Sequence, residues 1–153
     1  MNDQDIKIEE ATLSDMDALV GLLKELFSIE KDFLFNKSLQ RRGLALMLEK
    51  DKSRCILVAK TGQKIVGMVS LQKLVSTAEG GLVGLIEDMV VSHAFHGRGV
   101  GKRLLTSIEM WAKDQGLIRL QLLADKNNMH ALRFYEKMNW GVTQLICLRK
   151  RDL

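Results

Sequence analysis

A chain of 153 residues, 46% hydrophobic and 27% charged, has the size and balance of one soluble globular domain with a real core. It holds no apolar run of about 18 residues, which excludes a membrane-spanning helix. Its net charge of +4 with 5% aromatic residues lacks the basic, aromatic-interleaved face of a nucleic-acid binder. The start, Met-Asn-Asp-Gln-Asp, is acidic where a signal peptide would be basic, so a cytosolic address is expected.

Ile6-Lys7-Ile8-Glu9 alternates as a first strand. Ser14, with Asp17 three residues on, reads as a helix start, and Met16, Leu19, Val20, Leu23, Leu26 and Phe27 keep helical spacing. A second helical pattern covers Ser38 to Glu49. Cys55–Lys60 and Ile65–Leu74 read as strands joined around Thr61-Gly62-Gln63, and Leu82–Val91 as the next strand. Leu104, Leu105, Ile108, Trp111 and Ala112 mark one face of a further helix, with Gly116 as its stop. Leu117–Ala124 is nearly all apolar and is expected to be a central buried strand. A short helix over Met129–Lys137 and a last strand over Val142–Leu148 complete the order. Cys55 and Cys147 both fall in apolar runs and are expected to be reduced core residues. The sum is an α/β chain with helices on both faces of a mixed sheet, undivided by any linker or repeat.

Residues 96–102, His-Gly-Arg-Gly-Val-Gly-Lys, stand between the strand ending at Val91 and the helix that follows. Three glycines at every second position let backbone N–H groups close on an anion, with the positive end of the helix behind them. A Walker loop fails here, because His96 stands where its first Gly is needed and Arg103 where its hydroxyl is needed. A dinucleotide fingerprint fails at Lys102, where it requires Gly. What remains, Gly99-x-Gly101 in a strand–turn–helix setting, resembles the acyl-CoA pyrophosphate loop of the GNAT superfamily of N-acetyltransferases. Asn128-x-x-Ala131-x-x-Phe134-Tyr135-Glu136-Lys137-x-x-Trp140 is similar to that family's second signature. Glu87-Asp88-Met89-Val90-Val91 is similar to its fourth strand, and Ala11-Thr12 to Leu19 to its opening strand-to-helix step.

The resemblance implies a single N-acetyltransferase domain over residues 1–153. Its fold would be one mixed, mostly antiparallel twisted sheet of about six to seven strands with helices on both faces. It implies acetyl-CoA as acyl donor, an amine acceptor and no metal. Dimers are common in such folds, although no residue here specifies one. Backbone groups of Met89, Val90 and Val91 would pair with the pantetheine arm, with the Met89 N–H as oxyanion donor. His96, Gly97, Arg98, Gly99, Val100, Gly101 and Lys102 would cradle the pyrophosphate, and Asn128, Ala131 and Tyr135 would complete the cofactor site. His96 departs from the usual Gln or Arg, and Asn139 replaces the usual Gly of a left-handed turn.

Tyr135 is the only tyrosine. A phenol with a pKa of about 10 can protonate a departing thiolate of about 8.5; the plainer reading is a helix tyrosine in the core. Glu87 is the candidate general base, against a strand glutamate paired with a cation. Strand alternation sends Asp88 to the opposite face, so only one of the two can reach the cleft. Asn128 reads equally as a helix cap, and Arg98 and Lys102 as exposed cations. His93 and His130 lack metal-ligand spacing and read as surface residues. For the acceptor, Glu30, Asp32 and Glu79 could attract a cationic amine beside Phe33 and Phe35, while each alone reads as loop or core. A catalytically silent acyl-CoA-binding sensor is the alternative function, and a direct transfer follows from the lack of a nucleophile paired with a base.

Overall fold

The computed structural model describes residues 5–153; the acidic stretch Met1–Gln4 lies outside the described residues. The chain divides into two compact units, one ending at Leu122 and one spanning Leu123–Leu153.

In the first unit, β1 (Ile6–Glu10), β2 (Arg54–Thr61), β3 (Lys64–Ser76), β4 (Gly81–Val91) and β5 (Leu120–Leu122) form one five-stranded sheet in chain order. The first three pairings are antiparallel and β4–β5 is parallel. The mixed, mostly antiparallel α/β expectation therefore holds, with five described strands rather than six or seven. One face carries α1 (Met16–Ile29) and α2 (Lys37–Met47), and the other carries α3 (Val100–Asp114).

Side-chain alternation along β2 and β3 sorts the core between those faces. Ile56, Val58, Met68 and Val90 meet Leu19, Leu22 and Leu23 of α1 and Leu44 of α2. On the other face Leu104, Leu105 and Ile108 of α3 are fully buried. There α3 approaches β3 so closely that a Cβ on Gly67 would lie 2.9 Å from Leu104 Cδ1 and 3.1 Å from the Val90 carbonyl.

Three local expectations are corrected. The helix start is built on Thr12 rather than Ser14: Asp15 accepts the Thr12 N–H at 2.8 Å, and a 3-10 turn over Leu13–Asp15 leads into α1. Leu117–Ala124 is not a central strand. Leu120–Leu122 pairs on one side against Gly84–Ile86, and just before it Ile118 and Arg119 bond to the backbone of Leu82 and Gly84. Apolar composition records a preference for burial but not how many neighbours the strand acquires. Val142–Leu148 carries no strand, and Cys147 is exposed rather than core, while Cys55 is buried. Strand propensity there is not matched by a paired edge.

The second unit contains α4 (Met129–Lys137). Asn139 adopts φ 65° just past the helix end. Its N–H donates to the Glu136 carbonyl at 2.9 Å and that of Trp140 to the Tyr135 carbonyl at 2.9 Å. This is a Schellman cap, with Asn taking the left-handed position that usually falls to Gly. No helix among the described residues is long and apolar enough to cross a membrane.

Candidate active site

The site is organised by the end of β4 and the start of α3. Pairing of β4 with β5 stops at Ile86↔Leu122, whereas pairing with β3 continues to Gly67↔Val91. Ser92 donates its N–H to the Val66 carbonyl at 2.8 Å. In an antiparallel ladder, neighbours of a residue bonded to one side turn their N–H and C=O to the other. Val91 and, two residues back, Met89 therefore present their backbone groups away from β3, along an edge that β5 no longer covers. His96 marks that direction: its Nε2–H donates to the Val91 carbonyl at 2.7 Å, with its ring edge-on to His93.

A bulge interrupts β4 immediately upstream. Val69 pairs with Met89 and Leu71 with Ile86, so Ser70 alone stands opposite both Glu87 and Asp88. Ser70 pins this irregularity twice. Its hydroxyl accepts the Asp88 N–H at 3.0 Å and donates to Asp88 Oδ2 at 3.2 Å. The extra residue breaks strict alternation, and both carboxylates project on the α1 face. The expectation that only one could reach a common cleft is corrected by this register. Burial and the neighbouring Glu87 charge push the Asp88 carboxyl up to about 6, against a smaller opposing effect of the Ser70 hydrogen bond. Glu87 itself is exposed.

After the 3-10 turn over His93–Phe95, Gly97 and Gly99 adopt φ 75° and 74°. No atom lies within 4 Å of a Cβ added at either, so the demand for glycine here is conformational, not steric crowding. Gly99 is the N-cap of α3, and Val100, Gly101 and Lys102 form its first turn, whose N–H groups have no intrahelical acceptor. They form a ready anion cradle at the positive end of a 15-residue helix. Arg98 lies over the Phe95 ring, with its guanidinium carbon 5.1 Å from the centroid. Lys102 lines a shallow cleft of about 380 Å³ with Ile8, Arg103, Thr106 and Ser107.

Glu25, which the sequence did not single out, ties α1 to this turn. Its carboxylate accepts the Ser92 hydroxyl at 3.2 Å and the His93 N–H at 3.0 Å. The only signal for it was an acidic residue beside the apolar stripe of α1.

Other expected site residues are placed separately. Phe33 packs on Phe27 at 5.4 Å between centroids, just after Glu30 caps α1. Glu79 lies in the β3–β4 turn, at the far end of β4 from the glycine loop, and pairs with Arg119 at 3.3 Å. In the second unit, Asn128 caps α4 by accepting the Ala131 N–H at 3.1 Å. The Tyr135 ring sits between Phe134 and Trp140. Among the described residues no group of three or more His, Cys, Asp or Glu side chains is placed to hold a metal.

Residues 20–140 match the model of the acetyltransferase (GNAT) family, well over half of the chain. The chain belongs to this family. It is an acyl-CoA-dependent acetyltransferase. This GNAT chain is 30% identical over 134 residues to glucosamine 6-phosphate N-acetyltransferase of Trypanosoma brucei brucei, covering 87% of itself and 85% of that protein. It is 28% identical over 129 residues to aminoalkylphosphonate N-acetyltransferase of Salmonella typhimurium, covering 84% and 80%. Its structure superposes on that of a transcriptional regulator from Bacillus halodurans C-125 with a TM-score of 0.83 at 28% identity, covering 96% and 99%.

Proposed function

We propose that this GNAT enzyme transfers an acetyl group from acetyl-CoA directly to a primary amine. The observation that carries the reading is the left-handed Gly97–Gly99 turn at the start of α3, set beside a β4 edge whose Met89 and Val91 backbone groups are turned outward. Gly97 through Lys102, with His96 and Arg98 at the entrance, hold the diphosphate of the donor on backbone N–H groups and local positive charge. The Val91 carbonyl exchanges its His96 partner for an amide of the pantetheine arm. The Met89 N–H then polarises the thioester carbonyl as negative charge develops on its oxygen.

The acceptor arrives as an ammonium and must lose a proton before its nitrogen lone pair attacks the carbonyl carbon. Glu87, the exposed carboxylate of the bulge, meets that ammonium, and Glu30 and Phe33 of the segment after α1 border its approach. As the carbon–sulfur bond breaks, the leaving sulfur takes up a proton; the family signature over Asn128–Trp140 is what supports Tyr135 as its donor and Asn128 and Ala131 as donor-holding residues. Burial pushes the Cys55 thiol up to about 12, which removes it as an acyl-carrying nucleophile and supports direct transfer.

The relatives are named for amine acceptors that also carry a phosphonate or phosphate. Small amines of this kind are therefore the acceptors to test first, beside a lysine-containing peptide. Release of free thiol from acetyl-CoA, followed with each amine in turn, tests the reading; acetyl-CoA binding without turnover of any amine would favour the silent sensor. With an acceptor in hand, Tyr135→Phe is expected to lower kcat by roughly tenfold or more with little change in KM, as removal of a proton donor acting only in the transition state should.

A further inference from the structure

Assigning the proton of the incoming ammonium to Glu87 alone leaves a second carboxylate on the same face unused. Asp88 is not a bystander of the fold. Its N–H is bonded to the Ser70 hydroxyl rather than to a β3 carbonyl, and the same hydroxyl holds its Oδ2. Ser70 is itself buried within the otherwise apolar run Ile65–Leu71 of β3, so a polar side chain is kept in the core beside this one carboxylate. The Ser70 bonds engage Oδ2 and the N–H, and Oδ1 is not among the fully buried atoms that lack a partner, so the carboxylate keeps a second oxygen for a proton.

We propose that Asp88, seated on Ser70 at the β4 bulge, is the residue that takes the acceptor's proton, while Glu87 beside it holds the ammonium in place. This rests on the acetyl-transfer reading above. The N–H bond of the ammonium breaks, its proton passes to Asp88 Oδ1, and the nitrogen lone pair so freed attacks the thioester carbon. The sulfur that leaves carries away the bonding pair and collects its own proton from Tyr135, so the two proton transfers balance.

The environment suits an acceptor of protons near neutral pH. Of the elements packed on this face, β3 contributes the uncharged Ser70, β4 contributes Glu87, and α1 contributes Glu25, which is engaged by Ser92 and His93. With burial and Glu87 both favouring the neutral form, Asp88 titrates near 6 and is mostly ionised, yet still basic, at pH 7 to 8. A free carboxylate at the usual value of about 4 would be a weaker base.

The test is the pH profile of kcat/KM for acetyl-CoA with 2-aminoethylphosphonate and with glucosamine 6-phosphate, run on wild type, Asp88→Asn, Glu87→Gln and Ser70→Ala. Each variant is first checked by thermal melting for wild-type folding. The wild-type rate is expected to rise with pH through an inflection near 6. Asp88→Asn is expected to lose about 100-fold in kcat together with that acid limb. Glu87→Gln should raise KM and keep the limb, moved to lower pH because the neighbouring negative charge that raises Asp88 is gone. Ser70→Ala, by removing the hydrogen bond that favours the ionised form, should move the limb to higher pH. An Asp88→Asn enzyme that keeps both rate and limb overturns the assignment, as does a limb that vanishes in Glu87→Gln alone. If wild type turns over neither amine nor any other in the panel, it is the acetyl-transfer reading that fails, and the assignment falls with it.

Discussion

Gly99→Glu is expected to abolish saturable binding of acetyl-CoA. Gly99 holds φ 74° at the N-cap of α3, where a side chain costs roughly 1–2 kcal/mol relative to the unstrained backbone. The carboxylate adds a negative charge among the N–H groups proposed to receive a diphosphate, at the end of the helix where anions are otherwise favoured. The two effects compound, so calorimetry should show affinity reduced by at least about 100-fold. Gly99→Ala, which brings strain without charge, should fall roughly tenfold. Gly43→Ala, inside α2 with no atom near its added Cβ, is the control and should bind as wild type does. Unchanged binding by Gly99→Glu would mean that the turn serves only packing and that the donor sits elsewhere.

Gly67→Val should destabilise the first unit by about 3 kcal/mol, the upper end of what overpacking usually costs, seen as a melting temperature lower by roughly 6–12 °C. The added Cβ alone meets Leu104 Cδ1 at 2.9 Å, and its next neighbour, the Val90 carbonyl at 3.1 Å, is backbone that cannot rotate away. Leu104 is fully buried, so Leu104→Ala by itself opens a cavity at a cost of about 2–5 kcal/mol. Combined, the larger residue at 67 fills part of the space vacated at 104. The double variant should therefore be more stable than the sum of the two losses predicts, by about 1 kcal/mol. Strict additivity would show that α3 shifts as a body instead of yielding at this contact.

Features that depend on local chemistry were legible in the sequence. A Gly-x-Gly turn before a helix demands left-handed backbone whatever surrounds it, and Gly97 and Gly99 supply it. Asn139 was readable for the same reason. The helix over Met129–Lys137 matches to the residue because its cap, Asn128, and its stop, Asn139, directly flank the segment. What the sequence hid depends on partners distant along the chain. The bulge is held by Ser70, 18 positions from Asp88, whose hydroxyl accepts the Asp88 N–H; strict alternation, applied to β4 alone, therefore separates Glu87 and Asp88 where the register does not. Glu25 acts across 67 and 68 positions, on Ser92 and His93, and no window along the helix reveals that. Leu117–Ala124 and Val142–Leu148 were read from composition, which measures how gladly a strand would be buried and not whether a neighbour arrives.

The stretch of β4 beyond its pairing with β5 has a consequence for the enzyme before it meets its substrates. A row of outward N–H and C=O groups is a template on which the strand of another molecule can pair, the first step toward edge-to-edge aggregation. This row is broken at one end by the bulge with its two carboxylates and closed at the other by His96 on the Val91 carbonyl. Such a short, kinked and charged edge is a poor template for another chain. His96→Ala and Ser70→Ala each remove one of these safeguards, and light scattering on concentrated protein should show more self-association in both than in wild type, reversed by excess acetyl-CoA. The segment proposed to receive the acetyl donor is thus shaped to turn away its own kind.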